Sequence, residues 1–119
     1  MLHIALHFIL PLLVAVIMHR KHWRHSWFWM LTAFVIDVDH LLADPIYDAA
    51  RCSIGFHPLH SAPAMVFFAV ALLLITFLPV LVPDKPHTRA GWPLYRLRLQ
   101  LFLAGVGIHL ALDALDCVF

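Results

Sequence analysis

HSAPAMVFFAVALLLITFLPVLV, residues 60–82, carries no charged side chain across 23 positions. An apolar run of about 20 residues is what a helix needs to cross a hydrocarbon core of about 30 Å. Pro63 falls in the first turn, where a missing backbone donor does no harm. The stretch therefore predicts a membrane-spanning helix that starts at the histidine-bearing motif HPLHS, residues 57–61.

Reading outward from it gives three more spans. PDKPHTRAGWP at 83–93 is rich in proline and charge and reads as a turn; beyond it a span runs from about 94 to 115. Upstream, the polar loop ADPIYDAARCSIGFHP at 43–58 follows a span from about 27 to 42 that ends in DVDH. Before that lies the basic, aromatic stretch HRKHWRHSW at 19–27, then a first span from about 2 to 18, gently broken by Pro11. That opening segment has no small-residue cleavage site and reads as a retained span rather than a signal peptide. The expectation is a single domain over 1–119, all-α, an integral membrane four-helix bundle.

Composition agrees. The 119 residues are 63% hydrophobic with a mean hydropathy of +0.88, more apolar surface than a soluble domain of this size can hide. No basic cluster is large or interleaved as nucleic-acid binders require, so a nucleic-acid partner is not expected. Membrane lipids are the expected surroundings, and a homo-oligomer is left open.

Threading four helices up and down creates two faces. Arg20, Lys21, Arg24, Lys85, Arg89, Arg96 and Arg98 gather at one, with Trp23, Trp27, Trp29, Trp92 and Tyr95 near it as an aromatic belt. By the positive-inside rule that face is cytoplasmic and both termini are extracytoplasmic.

The acids do the opposite. Asp37, Asp39, Asp44, Asp48, Asp113 and Asp116 fall at the outer face, and the chain has no Glu. His3, His7, His40, His57, His60 and His109 are at the same end. HIALH (3–7), DVDH (37–40), HPLH (57–60) and HLALDALD (109–116) thus converge. On a helix, His109, Asp113 and Asp116 share a face, as do His3 and His7, and Asp37 and His40. Asp39 points elsewhere unless that helix end unwinds.

Ionisable groups in membrane spans are costly and usually face the bundle interior, which makes these functional candidates. Histidine with carboxylate suits Zn²⁺, or Mn²⁺ and Fe²⁺ where oxygen dominates, and the number of donors allows one ion or two. The bland reading is a set of solvated loop residues for Asp44, Asp48 and His3, and a hydrogen-bonded network for Asp37 and His109. His19, His22 and His25 read as interfacial side chains beside Arg and Lys. Ser61, at a helix start, reads as a capping residue before it reads as a nucleophile, since no elbow glycines flank it.

The order His, D-x-D-H, H-S, H-x-x-x-D resembles bacterial inner-membrane proteins described as predicted membrane-bound metal-dependent hydrolases, the YdjM-like group. MLHIALHF, DHLLADPIYD, RCSIGFHPLH and HLALDALDC are similar, more closely, to a short branch known only as a domain of unknown function. The resemblance implies a periplasm-facing metal site built from His7 (or His3), Asp37, Asp39, His40, His60, His109 and Asp113. His57 joins this set from its place in HPLH. Two departures stand out: Ile36 replaces a proline, and His57-Pro-Leu-His60-Ser61 is compressed.

As a hydrolase, the site would use its metal to acidify water and polarise a phosphoryl or acyl oxygen. Asp39 or Asp116 would be the base. Arg51, the one Lys or Arg at this face, would hold an anionic group such as a lipid phosphate. Lipid phosphoesters or esters are the expected substrates. The alternatives are a metal-stabilised scaffold or subunit, or a metal-ion handling protein, with a bis-histidine haem protein behind both. Cys52 and Cys117 both fall on the outer, oxidising side, where a disulfide is expected; free thiols or thiolate ligands are the other reading.

Overall fold

The computed structural model describes residues 2–46, 48, 51–81 and 92–118. Among them are four α-helices, two 3₁₀ helices and no strand. The helices are α1 (Leu2–Met18), α2 (Trp23–Leu31), α3 (Ala62–Leu81) and α4 (Trp92–Asp116). The expected turn, with Lys85 and Arg89, lies outside the described residues except for Trp92 and Pro93, which open α4. The all-helical expectation holds. Four membrane spans do not follow from helix length: among the described residues only Leu94–Asp116 is long and apolar enough, while His3–Met18 and Ala62–Phe77 are shorter apolar helices.

The expected helix over 27–42 is also not one α-helix. α2 gives way at Thr32 to a 3₁₀ helix, Thr32–Leu42. Thr32 Oγ1 donates to the Trp29 carbonyl at 2.6 Å, and β-branched Val35, Ile36 and Val38 weaken the α preference. Eleven residues is long for this form, in which positions three apart eclipse. Three rows result. Ala33, Ile36 and Asp39 are buried; Phe34, Asp37 and His40 line a cavity; Val35, Val38 and Leu41 are exposed. The winding brings Asp39 inward, which an α-helix keeping Asp37 and His40 on one face would not do.

α4 packs against α1, α2, α3 and the 3₁₀ segment. The core is thin: Ala33, Ile36, Val106 and Leu110, with Ile54, Leu59, Met65, Phe68 and Phe102 against them. Gly105 lets α4 touch α2, since a Cβ there would collide with the Met30 carbonyl. Farther along, Arg96 Nε donates to the Ile75 carbonyl at 2.9 Å and Nη2 to that of Thr76 at 2.9 Å. Ile75 lies four residues before Pro79, which has no N–H to give it, so Arg96 supplies the donor the helix lacks.

Buried polar groups accompany this core, and much apolar surface is left exposed. His7, Ser26, Asp39, His57, His60, His109 and Asp113 are buried, whereas Phe8, Leu13, Ile17, Phe67, Leu73 and Phe77 are among many large apolar side chains left exposed. A disulfide joins Cys52 to Cys117 and ties the loop before α3 to the end of α4.

Candidate metal centre

Four chain segments deliver the site. His3 and His7 lie one turn apart near the start of α1; Asp37, Asp39 and His40 come from the 3₁₀ helix. His57 and His60 flank the 3₁₀ turn Pro58–His60, and His109, Asp113 and Asp116 ride the last turns of α4. The turn is set up by Gly55, whose φ of 81° suits glycine and whose N–H meets the His60 carbonyl at 3.0 Å. Ser61 Oγ accepts from Ala64 N–H at 3.5 Å and donates to the Pro58 carbonyl at 2.7 Å, so it caps α3.

At the centre stand His60 Nε2, His109 Nε2, Asp37 Oδ1 and Asp113 Oδ2. His109 Nε2 is 2.9 Å from Asp37 Oδ1 and 3.3 Å from Asp113 Oδ2. His60 Nε2 is 3.2 Å from Asp113 Oδ2 and 3.4 Å from Asp37 Oδ1. One ligand atom from each of the four lies within 4.8 Å of all the others. Tetrahedral zinc with bonds of 2.0–2.2 Å needs donor separations of about 3.3–3.6 Å. The separations here come within a few tenths of an ångström of that.

The hydrogen bonds explain why these atoms face one another. Asp39 Oδ2 accepts the Leu59 N–H at 2.7 Å and lies 3.3 Å from His60 Nδ1. A carboxylate only accepts, so Nδ1 donates to Asp39, and in the neutral ring this leaves the Nε2 lone pair facing the centre. His7 behaves likewise: Nδ1–H donates to the His3 carbonyl at 3.0 Å, leaving Nε2 at 3.2 Å from Asp113 Oδ1. His7 Nε2, His60 Nε2 and Asp113 Oδ2 are all buried with no hydrogen-bond partner. Such contacts need positive charge between the facing atoms, either a proton on the ring nitrogen or a bound metal ion.

The other expected residues take different places. Both Asp39 oxygens are engaged, Oδ1 with His40 Nδ1 at 3.1 Å, and only 3% of the residue is exposed. His40 Nε2 meets Ser53 Oγ at 3.1 Å, so both its ring nitrogens have partners. His57 stacks on His40 with centroids 3.8 Å apart; burial, with His40 beside it, holds the His57 imidazole below its ordinary pKa. Asp39, His40 and His57 thus group together beside the centre. His3 joins His7 on Asp113, its Nε2 being 3.1 Å from Oδ1. Asp116, largely exposed, lies 3.5 Å from His3 Nδ1.

The centre opens into a cavity of about 440 Å³ whose wall includes His3, His7, Asp37, His109, Asp113 and Asp116. Arg51 is on the same wall, its Nη1 donating to the Pro45 carbonyl at 2.7 Å and its guanidinium 4.6 Å from the Phe56 ring centroid. Sequence reasoning passed over Ser53, which holds His40; a lone loop serine gives no signal of it.

The family model described as a family of unknown function, DUF6122, matches residues 1–81, and the chain belongs to that family. The match takes in α1 through α3 and stops before His109 and Asp113. No curated protein and no solved structure matches the chain.

Proposed function

We propose that this DUF6122 member is a membrane-embedded, metal-dependent hydrolase whose centre of Asp37, His60, His109 and Asp113 faces the periplasm across a bacterial inner membrane. One observation carries the metal: buried, unpartnered His60 Nε2 and Asp113 Oδ2 sit at coordination spacing beside an open cavity. The donor set suits zinc, with manganese or iron as further candidates. The resemblance of DVDH, HPLHS and HLALD to YdjM-like predicted hydrolases supports the reaction class.

The membrane reading is supported by the many large apolar side chains left exposed and by the long apolar helix Leu94–Asp116. α3 and α4 reach roughly 30 and 37 Å at 1.5 Å per residue, and α2 with its 3₁₀ continuation roughly 35 Å, against a core of about 30 Å. Apolar patches of such extent mark contact with lipid or protein.

A divalent cation held by these residues would acidify water and polarise a phosphoryl or acyl oxygen. Water adds to the phosphorus or carbonyl carbon, and its proton passes to Asp116, the cavity carboxylate with most exposure to solvent. The ester oxygen leaves and takes up a proton, giving an acid and an alcohol. Arg51, which lines the same cavity, holds the anionic part of the substrate, a lipid phosphoester or ester.

A scaffold reading, metal-stabilised and inactive, is favoured by the four donors, which fill a tetrahedral shell without water. The test is hydrolysis of phospholipid and acyl-ester substrates by protein purified in detergent without chelator, compared with Asp116→Asn and Arg51→Ala. Turnover lost in both variants, with the ion of the Asp37, His60, His109 and Asp113 centre retained, supports the hydrolase. Full metal content without turnover on either substrate class favours the scaffold.

A further inference from the structure

Asp113 has a carboxylate oxygen for each of two histidine pairs. Oδ2 lies 3.2 and 3.3 Å from the Nε2 atoms of His60 and His109. Oδ1 lies 3.1 and 3.2 Å from those of His3 and His7. We infer that Asp113 bridges two divalent cations, one in the centre already described and a second held by His3, His7 and Asp113 Oδ1. This inference rests on the metal reading above and assigns the second site its own chemistry.

In the second set His3 Nε2 is within hydrogen-bond distance of Asp113 Oδ1, and His7 supplies the unpartnered donor. His7 is buried, its Nδ1 proton is committed to the His3 carbonyl, and its Nε2 is left without a hydrogen-bond partner. That lone pair points at a carboxylate oxygen, an arrangement that a ring proton or a bound metal ion stabilises. His3 is held from behind by Asp116 at 3.5 Å from Nδ1, as Asp39 holds His60. Carboxylates behind ligand histidines are a recurrent feature of metal sites.

The two positions differ in completeness. The first has four protein donors, whereas the second has three, and His3 and His7 both face the cavity. Structural zinc sites are closed, while catalytic ones keep three protein ligands and an open position. The four-donor ion is therefore the anchor that fixes α4 to the 3₁₀ helix and the Pro58–His60 turn. The three-donor ion, with its open position, takes over the water-activating role given above to the four-donor centre. Ions sharing one carboxylate in this way lie about 3.5–4 Å apart.

Two measurements on the full chain in detergent test this. By metal analysis, wild type holds two equivalents, His3→Ala/His7→Ala holds one, His60→Ala/His109→Ala loses the anchor ion, and Asp113→Asn loses both. Since a variant can fail by misfolding, wild type reconstituted with Mn²⁺ is examined by electron paramagnetic resonance. An exchange-coupled pair spectrum supports the bridge. One equivalent with the spectrum of an isolated ion, unchanged in His3→Ala/His7→Ala, overturns the second site and leaves the first standing. No metal in wild type after reconstitution overturns both.

Discussion

Asp39 is the residue whose neighbours define it most fully. Its two oxygens serve the Leu59 N–H, His60 Nδ1 and His40 Nδ1, so it orients both histidines and is committed to contacts within the protein. Asp39→Asn keeps the shape and loses the charge that favours the required His60 tautomer. Metal affinity should fall about 10- to 100-fold, read by chelator competition, with thermal stability of the metal-free protein nearly unchanged. Asp37, His60, His109 and Asp113 were readable as a group from the sequence because charge bias sends one set of helix ends to one side. Asp39 was expected as a ligand or a base, and its place behind His60 was not legible, because its direction depends on three residues per turn rather than 3.6. The split of Asp113 between two histidine pairs was equally out of reach, since spacing along a chain says nothing about which oxygen faces which ring.

At the scale of elements, the 3₁₀ helix and the α2–α4 contact matter most. Apolar length predicted a helix over 27–42, and there is helical structure throughout; the change of winding at Thr32 has no length signature and hides in β-branched residues and a threonine side chain. The same limit applies to Gly105, which reads as an ordinary helix glycine until Met30 is placed beside it. Gly105→Ala should push α2 off α4 and destabilise the protein by about 1–3 kcal/mol. Gly107→Ala, two residues on and open to space, should be neutral or stabilising by up to about 1 kcal/mol. Thermal unfolding in detergent compares the two, and equal effects would contradict the close contact.

For the whole molecule, the outer-face placement of Cys52 and Cys117 in the sequence reading fits the disulfide that joins them. Their separation of 65 residues makes the bridge a strong constraint on the unfolded chain. Loss of the bridge in Cys52→Ser/Cys117→Ser should lower stability by about 2–4 kcal/mol, measured by chemical denaturation against the oxidised parent. It should also slow metal uptake, because the bridge holds the end of α4, with Asp113 and Asp116, against the loop that carries His57. Unchanged uptake would mean that helix packing alone positions those acids.

Topologically, the same bond turns the chain into a lariat. Residues 52–117 form a closed ring containing His57, His60, His109 and Asp113, and residues 1–51 form a linear arm that carries His3, His7, Asp37, Asp39 and His40. Neither part holds a full donor set; the site exists only where arm meets ring. A single backbone cut between α3 and α4 would open the ring without releasing a fragment. The nicked protein would stay covalently joined until a reductant is added, after which its two pieces, with the candidate donors divided between them, would be held by packing alone.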